Sequence, residues 1–253
     1  MFKRILLIVL LAIALYFASL FAKAPQQAVL TGNTLEEASG LAHSLLHPKL
    51  LYSHNDSGGK NAVYAMDYTG EIKATIIIDG IKNRDWEDIA TAYDPSTGKP
   101  YIFIGEIGDN NARYPSIAVF KVPEPSLARG DSLIIIQDYE TINIQFEDGP
   151  RDAEALFVES KTGDIYIISK REEKVSAYVV SYPYKANSIN IAKKIATLNM
   201  NWVTAADISP NGKQILIKTY TSIYRFKRSK KMSIAEALTK KPVKLPYILE
   251  PQG

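Results

Sequence analysis

The chain has 253 residues and no cysteine. Disulfides, thiolate metal ligands and a lipid-anchored cysteine are therefore excluded. Histidine is scarce too, with three in all. Helical periodicity is almost absent; only "MSIAEALTK" (Met232–Lys240) reads as one or two helical turns. A strong charge of one sign is also lacking. The formal charge is +3, and without Lys3 and Arg4 it would be about +1, which is no nucleic-acid footprint. One basic run, "KRSKK" (Lys227–Lys231), sits in an expected surface turn. A solvated loop is its simplest reading, and a contact for phosphate or membrane headgroups the other.

Long hydrophobic runs are missing with one exception, Ile5–Ala22, which carries no charge and follows Lys3 and Arg4. It has the form of an export signal and just reaches the roughly 17–25 residues that span a bilayer. Ala22-Lys23-Ala24 offers small residues for cleavage, but Pro25 is a poor neighbour for it. A cleaved signal and an uncleaved N-terminal anchor both stay open for residues 1–24. Either places the rest of the chain, residues 28–253, outside the cytoplasm: periplasmic, extracellular or tethered to the outer side of the inner membrane.

What the chain has in abundance is short β-rich runs separated by Gly, Pro, Asn and Asp. They repeat. "EASGLA" (Glu37–Ala42), "DWEDIA" (Asp85–Ala90), "DAEALF" (Asp152–Phe157) and "TAADIS" (Thr204–Ser209) align as the openings of four units. Each is followed by a turn and a strong β run ("LLYSHND", "YIFIGEIGDN", "DIYIISK", "QILIKTY"). A third run comes next ("AVYAMD", "SIAVFKV", "SAYVVSY", "SIYRFKR"), then a fourth ("EIKATIIID", "DSLIIIQDYETINIQF", "INIAKKIATL", "VKLPYIL"). Four short antiparallel strands per unit predict an all-β fold, a β-propeller with blades near residues 35–80, 84–147, 150–199 and 202–249. An all-β sandwich would share the strand spacing but not this repeated order. The chain ends at "LEPQG", so the expectation is a ring cut short from five or six blades; a four-bladed ring closed by "AVLTG" is the alternative.

In an up-and-down blade, the loop into strand one and the hairpin between strands two and three share a rim. That places Glu37, Asp85, Glu87, Asp88, Asp152, Glu154 and Asp207 at one mouth of the central channel. His54, Asn55 and Asp56, then Glu106, Asp109 and Asn110, then Lys170 and Arg171 join them. So many carboxylates raise one another's pKa unless cations compensate. Oxygen donors without cysteine, and with one nearby histidine, suit Ca²⁺ or Mg²⁺ rather than Zn²⁺. A single histidine also leaves no Ser–His–Asp arrangement to argue. The expected metal ligands come from Glu37, Glu87, Asp109, Asn110 and Glu154. Lys170 and Arg171 would hold an anionic substrate, Glu106 or Asp88 would act as general base, and His54 is either catalytic or a satisfied structural histidine. Bland readings stand beside these: Asp94, Asp164 and Asn211 as turn caps, Asp207 as a structural bond between blades, Trp86 as packing at a blade junction, and His43 and His47 as surface residues.

Together, "ASGLA…LLYSHNDSGG", "DWEDIA", "YIFIGEIGDNNAR", "DAEAL…IYIISKR" and "TAADISPNGK" resemble a poorly characterised group of exported bacterial β-propeller proteins, over about residues 35–225. Members of that group continue past this point with a further "GEA"-type opening motif, of which "PQG" would be a cut-off start. The group is more distantly similar to gluconolactonase/regucalcin-like and phytase-like propellers. That resemblance implies a channel-mouth metal bound by acidic and amide side chains, and hydrolysis of lactones or phosphoesters. The expected function is thus a metal-dependent hydrolase, with a non-catalytic envelope-binding propeller as the alternative. The expected partners are a small anionic substrate or an envelope ligand, no nucleic acid, and membrane only through the N-terminal segment, on a monomer.

Overall fold

Runs such as "YIFIG" and "IYIIS" are apolar on both faces, so they need cover on two sides. The structure, a computed structural model describing residues 30, 34–128 and 132–247, supplies it by stacking sheets against one another. The apolar segment 5–22, most of "AVLTG" and residues 248–253 lie outside the described residues.

The fold is a β-propeller of four-stranded antiparallel blades. Blade one is β1 (Ala38–His43), β2 (Leu50–Asn55), β3 (Ala62–Asp67) and β4 (Ile72–Ile78). Blade two begins with β5 (Trp86–Tyr93), β6 (Pro100–Glu106) and β7 (Ile117–Pro123). Its expected fourth run, "DSLIIIQDYETINIQF", divides in two. β8 (Leu133–Ile136) leaves the blade and pairs parallel to β4 on the outer edge of blade one, while β9 (Glu140–Phe146) completes blade two. Blade three is β10 (Ala153–Val158), β11 (Ile165–Ser169), β12 (Ser176–Val180) and β13 (Asn190–Thr197), and β13 pairs parallel to β9. Blade four is β14 (Val203–Ile208), β15 (Gln214–Thr219), β16 (Ser222–Lys227) and β17 (Val243–Leu245). Before β17 comes the short helix α1 (Ile234–Leu238), opened by a capping box between Ser233 and Glu236. These parallel outer pairings tie neighbouring blades together and cover edges that would otherwise be open to association.

Among the described residues, three apolar cores lie between blades. Trp86, Ile104 and Phe120 pack against Tyr52, Val63 and Ile76 between blades one and two. Phe103, Val119 and Ile144 meet Leu156, Ile167 and Tyr178 between blades two and three. Phe157 and Ile168 meet Ile217, Phe226 and the buried face of α1 between blades three and four. Trp86 is fully buried, and a side chain of that kind contributes about 1.5–3 kcal/mol through the water it leaves.

The first strands of the blades pack side by side around the channel, and each carries a β-bulge near its start. In β5 the extra residue is Glu87, between Trp86 paired to Glu106 and Asp88 paired to Gly105. In β10 it is Glu154, and in β14 it is Thr204. In β1 the irregularity spans Gly40, where φ is +70° and a Cβ would lie 2.8 Å from the Ile89 nitrogen. Only glycine allows β1 that close to β5.

The bulges correct the sequence alignment. Thr204 occupies the place of Glu87, not of Asp85, so the fourth motif is offset by two residues. An offset of two leaves every side chain on its expected face, which is why alternation alone did not expose it. In β1, Ser39 pairs with His54 as Trp86 pairs with Glu106, so Glu37 stands one position earlier than Asp85 does.

Candidate metal centre at the channel mouth

A bulge bends its strand and re-aims a side chain. Here the two bulged glutamates, Glu87 and Glu154, turn toward one another at the end of the channel where the inner strands begin. Two overlapping groups result, Asp56–Asp85–Glu87 and Glu87–Asp152–Glu154. Within each, one carboxylate oxygen per residue lies within 4.8 Å of the others. Asp56 comes from the end of β2, Asp85 and Asp152 from the residues preceding β5 and β10.

The second group has its own cations. Lys170 Nζ, buried at the end of β11, donates to Glu154 Oε1. Arg171 Nε donates to Asp152 Oδ2 at 2.5 Å, while its Nη2 donates to Asn110 Oδ1 and its guanidinium lies over the Trp202 ring at 5.6 Å. The first group has none: among the described residues no lysine or arginine forms an ion pair with Asp56, Asp85 or Glu87. Burial, with the Asp56 and Asp85 charges added, pushes the Glu87 carboxyl up to about 9, although Lys170 pulls the other way. Burial and then Asp56 also raise Asp85.

The backbone opposite makes room for this crowding. A Cβ at Gly108 would lie 2.3 Å from Asp85 Oδ2 and 2.4 Å from Glu87 Oε1. The residues therefore fit a hard divalent cation, with oxygen donors only, a glycine cradle and one group of acids left uncompensated. Beside Asp85 opens a cleft of about 370 Å³, lined by Ser57, Arg84, Asp109, Arg113 and Tyr114 among others.

The other sequence-derived candidates are placed differently. Glu37 is exposed and outside both groups, a consequence of its one-residue offset. Asp109 is buried with both oxygens engaged, accepting from the Arg113 and Tyr114 nitrogens at 2.9 and 2.8 Å, while its own N–H donates to Asp152. Asn110 is exposed and holds Arg171. Lys170 and Arg171 are occupied by Glu154 and Asp152, and so are not free anchors for a substrate.

Neither expected general base is free. Glu106 accepts from Arg84 Nε and from the Trp86 indole, each at 3.2 Å. Asp88 is fully buried away from the mouth. Its Oδ2 accepts from the Leu156 nitrogen at 2.8 Å and the Ala206 nitrogen at 3.3 Å, tying the inner strands of blades two, three and four. His54 is buried, with Nδ1 on the Asn55 carbonyl at 3.0 Å and its ring edge-on to Trp86. Burial lowers its pKa, so it stays neutral in the packing between blades one and two. Asp207, expected as the bond between blades, instead accepts from the neighbouring Ile208 nitrogen at 2.7 Å and faces the opposite mouth. Asp88 performs the bridging task.

Asp56, Asp85 and Asp152 belong to the site although the ligand set drawn from the sequence omitted them. Asp85 and Asp152 share the first place of aligned motifs, which was the available signal. Asp56 follows β2 and was expected at the same mouth, but it shares no motif column with the other acids and was not drawn into the ligand set.

No family model and no curated protein matches the chain. Among solved structures it is similar to an auxiliary nutrient binding protein of Bacteroides thetaiotaomicron, with 13% identity, a TM-score of 0.48, and coverage of 83% of this chain and 42% of that one. It is similar to a candidate phosphatase of the same organism at 14% identity and a TM-score of 0.50, covering 77% of this chain and 43% of that one. The Dos1 propeller matches at 14% identity and a TM-score of 0.40, covering 85% of this chain and 49% of the other. The chain thus spans less than half the length of each. At such identities the likeness concerns the fold.

Proposed function

We propose that the protein is a divalent-cation-binding propeller whose Asp56, Asp85 and Glu87 carboxylates hold one Ca²⁺ or Mg²⁺ at the channel mouth. The observation that carries this reading is the charge balance. Of five clustered acids, Asp152 and Glu154 have ion-pair partners, and among the described residues the remaining three form no ion pair, with Lys170 and Arg84 acting on Glu87 and Asp85 only at longer range. A bound ion would supply the missing charge and let Glu87 ionise. Thermal melts with Ca²⁺ and Mg²⁺, before and after chelation, test it. A saturable rise in Tm that the chelator reverses is expected; no rise with either ion refutes the proposal.

A second reading, metal-dependent hydrolysis of a phosphoester or lactone, is favoured by the cleft beside Asp85, which places Arg84 and Arg113 next to the acids. A divalent ion there would polarise the phosphoryl or lactone oxygen. The exposed Arg113 would bind the anionic group, while Glu106 and Asp88, the bases expected from the sequence, are engaged elsewhere. Hydrolysis of model phosphoesters or lactones that chelation abolishes would support it. Ion binding without turnover leaves the protein a binding propeller for an envelope ligand. Export by the Ile5–Ala22 segment and a monomeric state complete the proposal, resting on the sequence alone.

A further inference from the structure

The basic run Lys227–Lys231 has no part in the acidic mouth. The structure carries it to the opposite end of the channel. There a cavity of about 860 Å³ opens between the far ends of all four inner strands, at Ala42, Thr91, Val158 and Ile208. That size lies within the roughly 300–1,000 Å³ of small-ligand pockets.

Its lining contains four cationic side chains, Lys161, Lys213, Arg228 and Lys230, against the carboxylates of Glu159 and Asp207. Arg228 is spoken for, because its Nη1 donates to Glu159 Oε1 at 2.6 Å and its Nε to the Met232 carbonyl at 2.7 Å. That pair clamps the loop presenting Lys230 against blade three. Lys161 stands on the turn between β10 and β11, and Lys213 on the turn between β14 and β15. Among the described residues, none of the three lysines makes an ion pair. Three lysines without an ion-pair partner among the described residues therefore line one cavity, with Asp207, beside His43, as the acid that no lysine or arginine pairs. Ammonium groups are compact point charges that suit phosphate oxygens.

We propose that this second mouth binds a small polyanion of phosphate or phosphoester chemistry, held by Lys161, Lys213 and Lys230. The site is independent of the cation site, at the other end of the channel. The ligand is either a soluble phosphorylated compound or the phosphorylated headgroup of a lipid, and one experiment separates them.

Calorimetric titration of the full chain with pyrophosphate, at low ionic strength and with chelator present, is expected to show one saturable site. Replacing the three lysines together (Lys161→Ala, Lys213→Ala, Lys230→Ala) is expected to weaken binding by about tenfold or more. The exposed outer-strand variant Lys193→Ala with Lys194→Ala should bind as the parent does. Circular dichroism melts of both variants report whether the fold is kept. Co-sedimentation with phosphatidylglycerol vesicles, competed by pyrophosphate, would assign the headgroup; pyrophosphate binding without co-sedimentation would assign a soluble ligand. Absence of pyrophosphate binding, binding undiminished by the triple substitution, or equal loss in the outer-strand variant overturns the proposal.

Discussion

Replacing Glu87 by glutamine should make the cation-free protein more stable, an unusual result for a buried charged residue. With its carboxyl pushed up to about 9, Glu87 keeps its proton in the folded state at neutral pH, whereas the unfolded chain releases it above the ordinary value of 4.5. A raised carboxyl pKa makes the folded state the better proton binder. Stability is then fullest below 4.5 and falls as pH rises toward 9. Glutamine has nearly the same shape and nothing to titrate. Near pH 7, the interval above 4.5 at about 1.36 kcal/mol per unit makes Glu87→Gln more stable by about 3 kcal/mol. For a domain of this size that is a Tm rise of roughly 6–12 °C. Near pH 4 the two proteins should melt together. Saturating Ca²⁺ should then raise the parent by about 2.7 kcal/mol at a hundredfold excess over Kd and leave the variant almost unmoved. Melts followed by circular dichroism across pH 4–8, with and without the ion, read every term. A variant that is less stable than the parent by the same margin at every pH would refute the reasoning.

Gly108→Ala would put a Cβ 2.3–2.4 Å from the Asp85 and Glu87 oxygens, so the cation-induced Tm rise should disappear while the β-sheet spectrum is retained; an unchanged rise would remove Gly108 from the site. Asp88→Asn leaves an amide NH2 facing either the Ile89 N–H or the N–H groups of Leu156 and Ala206, all of which the carboxylate accepts from, and should cost about 1–3 kcal/mol in denaturant unfolding. A near-neutral effect would show that Asp88 does not tie the blades. Burial works against ionisation of Asp94, but Lys121 at 2.8 Å and the Ser96 hydroxyl hold its carboxyl well below the usual range. That stability is present above 3.8 and lost as pH falls, so Lys121→Met should lose about 2–3 kcal/mol at neutral pH and show a shallower acid limb in urea titrations.

The repeated strand order was legible because each blade repeats the same sequence of turn residues and β runs, and alternation reports which face is buried. What alternation cannot report is a shift by two. The offset of Thr204–Ser209 therefore left no trace in the pattern, and Asp207 was expected at the wrong mouth. The departure of β8 was hidden for a related reason. "LIII" and "TINI" are both good strands, and only the pairing to β4 shows that the first belongs to another blade. At the site, Glu87 and Glu154 share a column that sequence can show. Whether an acid at the mouth is free or already engaged depends on how its loop and hairpin fold: Asp109 accepts from the Arg113 and Tyr114 nitrogens of its own loop and Glu106 from Arg84 and Trp86 across its hairpin, and hydrophobic alternation encodes neither.

The contacts of Asp88 between blades explain why the repeats had to diverge. The place held by Asp88 in blade two is held by Ala155 in blade three and Ala205 in blade four. Four identical blades would have put a desolvated carboxylate at each of these places around one narrow axis, each raising the pKa of the next. One suffices, because Asp88 Oδ2 accepts from the inner strands of both following blades. One residue earlier, at the bulge, the acids are kept in pairs, and Lys170 is supplied for Glu154 but no equivalent cation for Glu87. In blade two, the residue matching Lys170 in its pairing register is Ile107, fully buried in apolar packing. The asymmetry that deprives Glu87 of a lysine is thus the asymmetry that leaves its charge to be balanced by an ion from solution.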